Sequence, residues 1–205
     1  MTQPRLPNRL SAAARGTALP EGALDRFTAR AASDGLLDVA YTHHDTPLGE
    51  LLLAATPRGV VRISYLDWFP ESETLEDLAK RVSPRVLESP GRLDEVRREL
   101  DEYFEGERRS FDLSVDRVLL GPFARKVLGR TARIPYGEVS TYSRVAAAAG
   151  SPRASRAAGN ALARNPIPIV IPCHRVLRTG GGMGGYAGGL DRKARLLALE
   201  GAIED

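Results

Sequence analysis

The chain of 205 residues is long enough to bury a sizeable core, as one ordinary domain or two small ones. Its 42% hydrophobic and 27% charged residues are those of a soluble globular protein. No apolar run approaches the roughly 18 residues that span a bilayer, and a single cysteine excludes an internal disulfide and a Cys-rich zinc site and fits a reducing cytoplasm. The net charge of +3 conceals a division: residues 1–116 carry 15 Lys+Arg against 21 Asp+Glu, a balance of −6, whereas residues 117–205 carry 14 against 5, a balance of +9. The second half is therefore the half suited to a polyanion, although a basic half is as often a merely solvated surface.

Residues 1–23 lack the continuous apolar stretch of a secretory signal, and with Pro4, Pro7 and Pro20 the segment 1–35 reads as a partly disordered extension. Leu36–His44 and Glu50–Ala55 flank the turn Thr46-Pro47-Leu48-Gly49, and Thr56-Pro57-Arg58-Gly59 leads into Val60–Leu66, which predicts an antiparallel meander. The pair His43-His44 at a strand end is too isolated to suggest a metal site. Glu73–Val82 and Leu93–Phe104 are amphipathic helix candidates, the second stopped at Gly106. Residues 36–116 thus read as a small α+β supporting domain without a motif that carries chemistry.

A boundary falls at Asp112–Arg117, where the charge changes sign. Helices are predicted over Gly121–Thr131, with Pro122 in the first turn, and over Glu138–Ala149, stopped at Gly150. Ser151-Pro152 reads as an N-cap opening a helix from Arg153 to about Arg164. Two helices joined by a short glycine-containing turn is the helix-turn-helix layout, although many helical hairpins share it and bind nothing. The second helix is thin, with Ala154, Ala157, Ala158, Gly159 and Ala161, and carries Arg153, Arg156 and Arg164. That composition suits close packing on another helix, or a face that enters a nucleic-acid groove.

Asn165-Pro166-Ile167-Pro168-Ile169-Val170-Ile171-Pro172-Cys173-His174-Arg175-Val176 follows. Ile167–Ile171 reads as a buried extended segment that delivers Cys173 to its end. Neighbouring cations or a base bring a thiolate within reach, and His174 and Arg175 are adjacent. Consecutive residues of an extended segment face opposite ways, so a Cys–His pair needs a turn or a bridging water here. A buried structural cysteine beside a core histidine is the competing reading. Gly180–Gly189 is glycine-rich around Tyr186, either a flexible linker or a backbone that approaches a flat ligand closely. It does not follow a strand and open a helix, so it is not a nucleotide fingerprint. Asp191 is expected to cap a final helix, Arg192–Glu200, ended by Gly201. Glu200 sits at the edge of its inward stripe and needs a partner: His174, completing a Cys–His–Glu relay, or an arginine.

These residues resemble the methylated-DNA–protein-cysteine methyltransferases, the 6-O-alkylguanine-DNA alkyltransferase family. The likeness rests on Pro172-Cys173-His174-Arg175, Asn165-Pro166, Gly184-Gly185-Tyr186-Ala187-Gly188-Gly189, Lys193…Leu196-Leu197…Glu200-Gly201, Ile134-Pro135-Tyr136-Gly137-Glu138-Val139 and Ser155-Arg156-Ala157. It is specific over residues 117–205 and weaker over 36–112. The resemblance implies an α+β protein: a ribonuclease H-like N-terminal domain with antiparallel strands, and a mainly helical C-terminal domain, 117–205, that binds DNA and accepts the alkyl group. It implies direct-reversal repair, with irreversible, one-turnover transfer of an alkyl group from 6-O-alkylguanine to Cys173, and 4-O-methylthymine as a second candidate base. His174 would be the base acting through a water, Glu200 its orienting acid, Asn165 the residue holding the turn, and Tyr142 the aid to guanine departure.

Tyr186, Ala187, Val176 and Lys193 would serve substrate binding. Arg156 would fill the gap left by the flipped base, and Arg153, Ser155, Ala157, Gly159 and Arg175 would join it at the minor groove of double-stranded DNA. Ala187 departs from members with serine there, which points to altered substrate preference. No cofactor or metal is implied, and a cytoplasmic monomer is expected. Three other readings compete: a binder of flipped alkylguanine that does not repair it, which Cys173 argues against; a Cys–His–Glu amide hydrolase; and a helix-turn-helix regulator.

Overall fold

The computed structural model describes residues 34–203, together with positions 22, 26, 28, 30 and 31. The reading of 1–35 as an extension lies mostly outside the described residues. Three strands form the meander: β1 (Val39–His44), β2 (Leu51–Thr56) and β3 (Gly59–Tyr65), paired antiparallel in succession. The turn chemistry that separates them operates as expected. Thr46 Oγ1 accepts from Leu48 N at 3.2 Å, and Thr56 Oγ1 accepts from Arg58 N at 3.1 Å. Gly59 has φ +125°, and a Cβ there would lie 2.2 Å from Ser114 O. Glycine is required at that position by both conformation and space.

A fourth strand, β4 (Val86–Glu88), pairs parallel with β1 and gives the order β3-β2-β1-β4. It was not foreseen. A three-residue strand between Pro84 and Ser89-Pro90 is too short to show a period-two pattern. Helix α1 (Glu71–Arg81) packs Leu78 on one face of the sheet, against Val39, Leu52, Ala54 and Val61. Helix α2 (Asp94–Phe104) presents Val96, Leu100 and Tyr103 to the other, where Leu51, Leu53, Val60 and Ile63 point. Strict alternation along β2 therefore serves two cores, one above and one below the sheet. His43 and His44 are used locally, with Nε2 atoms 3.5 Å from Glu71 and 2.9 Å from Asp101.

The second half holds α3 (Pro122–Thr131), β5 (Ser140–Thr141), α4 (Tyr142–Ala148), α5 (Ser155–Ala163), β6 (Val176–Leu177) and α6 (Leu190–Leu199). Three helix starts differ from the sequence reading. Helix α4 begins at Tyr142 rather than Glu138, because Ser140–Thr141 pair in parallel with Val176–Leu177 and Thr141 accepts the N-cap bond from Arg144 N. Helix α5 begins at Ser155, because Ser151–Ala154 close a turn in which Ala154 N donates to Ser151 O. Helix α6 begins at Leu190 after Gly189, so Asp191 lies in its first turn instead of capping it. The helix-turn-helix layout itself is present, with Gly150 at φ +82° in the turn between α4 and α5.

The two halves are stitched at the edge strand. Asp116 N, at the end of the first half, donates to Val60 O, and across the boundary Ile63 N donates to Pro166 O at 2.8 Å. The second bond ties β3 directly to the segment that carries Cys173. Replacing Gly59 by alanine forces a methyl into Ser114 at a left-handed φ, and should cost at least the 1–3 kcal/mol typical of overpacking. Urea unfolding checks it, and an unchanged midpoint contradicts this role for the β2–β3 turn.

Candidate active site

The segment between α5 and Cys173 is not extended. Ile171 N donates back to Ile167 O at 2.9 Å, Val170 N donates to Pro168 O, and Ile169 stands at φ +73°, the one non-glycine residue with positive φ among those described. The apolar run is buried, as expected, but it is wound into tight turns. Asn165 organises the winding. Its Oδ1 accepts from Ile167 N at 3.1 Å, and its Nδ2 donates to Ile171 O at 2.8 Å and to Cys173 Sγ at 3.2 Å. Pro166, Pro168 and Pro172 have no N–H to leave unpaired inside this buried knot. A β-branched residue at positive φ costs on the order of 1–3 kcal/mol and persists only where its surroundings over-determine it. Here Asn165 and the bond from Ile63 do so.

The chain then makes one 3-10 turn, Cys173–Arg175, which solves the facing problem. His174 and Arg175 both turn to Glu200, the residue that closes α6. Glu200 Oε1 accepts from His174 Nε2 at 2.9 Å, Arg175 Nη2 at 2.8 Å and Tyr103 Oη at 2.7 Å, and Oε2 accepts from Arg175 Nε at 2.7 Å. The two partners that sequence reasoning offered as alternatives are both present. Burial would raise the Glu200 pKa, but the hydrogen bonds from His174 and Arg175 outweigh it and hold the carboxyl at about 2. Burial pushes the His174 pKa down, so the imidazole is neutral. With Nε2–H assigned to the carboxylate, Nδ1 is the accepting atom, and it is buried without a protein hydrogen-bond partner.

Cys173 is 5% exposed. Burial pushes its thiol up to about 11, against the hydrogen bond from Asn165 and the charge of Lys193, which favour the thiolate. The neighbouring cations do not by themselves make a resting thiolate; burial wins. Lys193 is wholly enclosed, and burial lowers its pKa to about 8. Its Nζ donates to Val176 O at 2.6 Å, to Gly185 O at 3.4 Å and to Met183 O.

A cavity of about 350 Å³ opens over Cys173, lined among others by Tyr142, Arg156, Gly159, Gly185 and Tyr186. Its size is at the lower end for small-ligand pockets. Gly184 stands at φ +68°, and a Cβ there would lie 2.4 Å from Tyr142 Oη, so the glycine loop can close on Tyr142 only without side chains. Gly185 N donates to Tyr142 Oη at 3.2 Å. From the other side, Tyr65 at the end of β3 places its hydroxyl 3.0 Å from Tyr186 Oη.

Residues 39–117 match the family described as 6-O-methylguanine DNA methyltransferase, ribonuclease-like domain, and residues 122–202 match its DNA binding domain. The chain belongs to the 6-O-methylguanine DNA methyltransferase family. Among its relatives, the constitutive methylated-DNA–protein-cysteine methyltransferase of Bacillus subtilis is 41% identical over 78% of this chain and 94% of its own length. That of Methanosarcina acetivorans is 39% identical over 79% and 98%. The solved O6-methylguanine methyltransferase of Mycobacterium tuberculosis is 35% identical with a TM-score of 0.69, covering 82% of this chain and 96% of that one. The same organism's OGT solved in complex with DNA is 34% identical, with a TM-score of 0.69 over 80% and 93%.

Of the expected methyltransferase site, Cys173, His174, Glu200, Asn165, Tyr142 and Tyr186 are drawn together, with Ser155, Arg156 and Gly159 on the same cavity. Arg153 and Ala157 are exposed on and beside α5. Four residues lie elsewhere. Arg175, expected at DNA, is 6% exposed with its guanidinium committed to Glu200 and, at 2.5 Å, to Ile134 O. Val176 is fully buried in β6. Lys193 holds the loop carbonyls from below and does not line the cavity. Ala187 faces a separate cavity beside Ser64, Tyr65 and Phe69.

Two residues were missed, Tyr103 and Tyr65, and both come from the half expected to carry no chemistry. The available signal was Tyr103 in the apolar stripe of α2, since a buried phenol needs a partner for its hydroxyl. Tyr103→Phe should lose about 1.5–3 kcal/mol at neutral pH, as for hydrogen bonds to charged groups. Glu200, depressed from 4.5 to about 2, contributes stability that is complete above 4.5 and is lost as pH falls toward 2. Losing a donor raises the folded pKa, so acid unfolding of the variant should begin at higher pH. Acid-titration curves of identical shape and midpoint contradict this.

Proposed function

We propose that this methyltransferase repairs DNA by direct reversal, with residues 117–205 binding the duplex and accepting the alkyl group and residues 36–116 supporting them. The observation that carries the reading is Cys173 on a cavity lined by Tyr142, Tyr186 and Arg156, followed in the chain by the His174 that Glu200 holds. The target oxygen of 6-O-alkylguanine lies inside the duplex, so the base must be flipped out, at a few kcal/mol. Arg156 on α5 fills the gap it leaves while the small face of that helix sits in the minor groove. Tyr186 and the Gly184–Gly185 backbone receive the base.

His174 Nδ1 then accepts the thiol proton, relayed by one water, while Glu200 steadies the imidazolium that forms. Cys173 Sγ attacks the alkyl carbon; the S–C bond forms as the C–O6 bond breaks, and Tyr142 Oη supplies a proton to the departing guanine oxygen. The phenolate regains its proton from the imidazolium through solvent. The product is a thioether, a poor leaving group, so each molecule reacts once. 4-O-Methylthymine presents the same alkyl–oxygen bond and is a second candidate base. The chain acts as a monomer in the cytoplasm, as the family resemblance implies.

Incubation with a duplex containing 6-O-methylguanine, followed by intact-mass measurement, should show one methyl adduct, on Cys173 and absent from Cys173→Ser. No adduct under DNA-binding conditions, or many equivalents demethylated per protein, overturns the proposal. Arg156→Ala should slow duplex repair at least tenfold more than reaction with free 6-O-benzylguanine; equal losses contradict the gap-filling role.

A further inference from the structure

A second concave surface lies on the other side of the helix-turn-helix. It is a groove of about 580 Å³ lined by Arg117, Arg125, Lys126, Arg130 and Arg133, and every other lining position is glycine or alanine, including Gly150. All five cationic residues are exposed. Among the described residues, none of the five is in an ion pair, and the one hydrogen bond from a guanidinium here runs from Arg125 Nε to Leu120 O. Most arginines of the first half behave differently. Arg58, Arg62, Arg81, Arg85, Arg98 and Arg108 each sit against a carboxylate. Five like charges gathered around one groove repel one another, and no acidic residue lines the groove to relieve them. An anionic partner seated in the groove would relieve that repulsion.

We infer that this groove holds the phosphate backbone of the same DNA duplex, beyond the stretch that α5 engages. The inference rests on the proposed repair function and extends its DNA track. Three features select an extended polyanion over a single small anion. The cations Arg125, Lys126 and Arg130 cover roughly 7.5 Å along α3 at 1.5 Å per residue, with Arg133 in the turn just beyond it, and at about 3.4 Å of duplex axis per phosphate of one strand that is more than one phosphate. Four of the five are arginines, whose planar fork binds phosphate oxygens in pairs. The small side chains between them let a backbone approach closely. Continuity favours the duplex already engaged: Ala148, Ala149 and Gly150 form one wall of the groove and lead through the 150–154 turn, past Arg153, into α5.

The test compares the salt dependence of duplex binding in wild type, in a Lys126→Gln/Arg130→Gln/Arg133→Gln variant, and in an Arg81→Gln/Arg85→Gln/Arg98→Gln control with the same change of net charge. Each lost phosphate contact removes about 0.9 from the slope of log affinity against log salt. Between 50 and 200 mM salt, the wild-type affinity should therefore fall up to about 40-fold more than that of the groove variant. The control should keep the wild-type slope, and all three proteins should react equally with free 6-O-benzylguanine. Equal slopes for wild type and groove variant overturn the inference, as does an equal loss in the control. If no protein is methylated by the damaged duplex, the repair function falls instead, whatever the slopes.

Discussion

A carboxylate shut away from water is tolerable only when its lone pairs are occupied, and Glu200 is such a carboxylate. It closes α6 at the negative end of that helix, where a second negative charge is unfavourable. It nevertheless stays ionised, because His174, Arg175 and Tyr103 converge on its two oxygens. Those donors come from the 3-10 turn that begins at Cys173 and from α2, which shares one core with the second half of the chain. Satisfying one buried charge thus fixes the position of the histidine, the course of the active-site turn and the docking of the two halves. Breaking such a pair typically costs 3–5 kcal/mol, since what remains is an uncompensated charge.

Around that anchor the thiol is held in reserve. Burial, the largest influence on Cys173, favours the protonated form, and Asn165 and Lys193 only moderate it. Lys193 supports the glycine loop by its carbonyls, so its charge stands near the sulfur without entering the cavity. A nucleophile that acts once and cannot be regenerated gains from being inert toward adventitious electrophiles. In the proposed mechanism its proton leaves when the substrate fills the cavity and the neutral His174 accepts it.

Most of the fold was legible because local chemistry and global structure agree. Thr46, Gly49, Thr56 and Gly59 mark turns that occur, and the alternation in β2 and the stripe in α2 mark faces that are buried. Legibility ended where long-range bonds override local pattern. Ile167–Ile171 has the composition of a buried strand, but the Asn165 side chain supplies backbone-like partners that wind it into turns. Ser140–Thr141 reads as helix because its partners, Val176–Leu177, lie far along the chain. The family resemblance places Arg175 at DNA, and only its bonds to Glu200 and Ile134 O show that it is internal. Tyr103 touches Glu200 across 97 positions of sequence, a contact no pattern announces. The cluster of Cys173, His174, Asn165 and Glu200 was readable because its members crowd into motifs; the support beneath it was not.

The claim that burial keeps Cys173 protonated until the His174–Glu200 pair acts is tested most directly by titrating the thiol. As the only cysteine, it can be followed in the native protein by thiolate ultraviolet absorbance, with Cys173→Ser as the blank. The thiol should stay protonated through neutral pH and ionise only well above the ordinary cysteine range, toward about 11. A thiolate already formed at neutral pH in the free protein would contradict it.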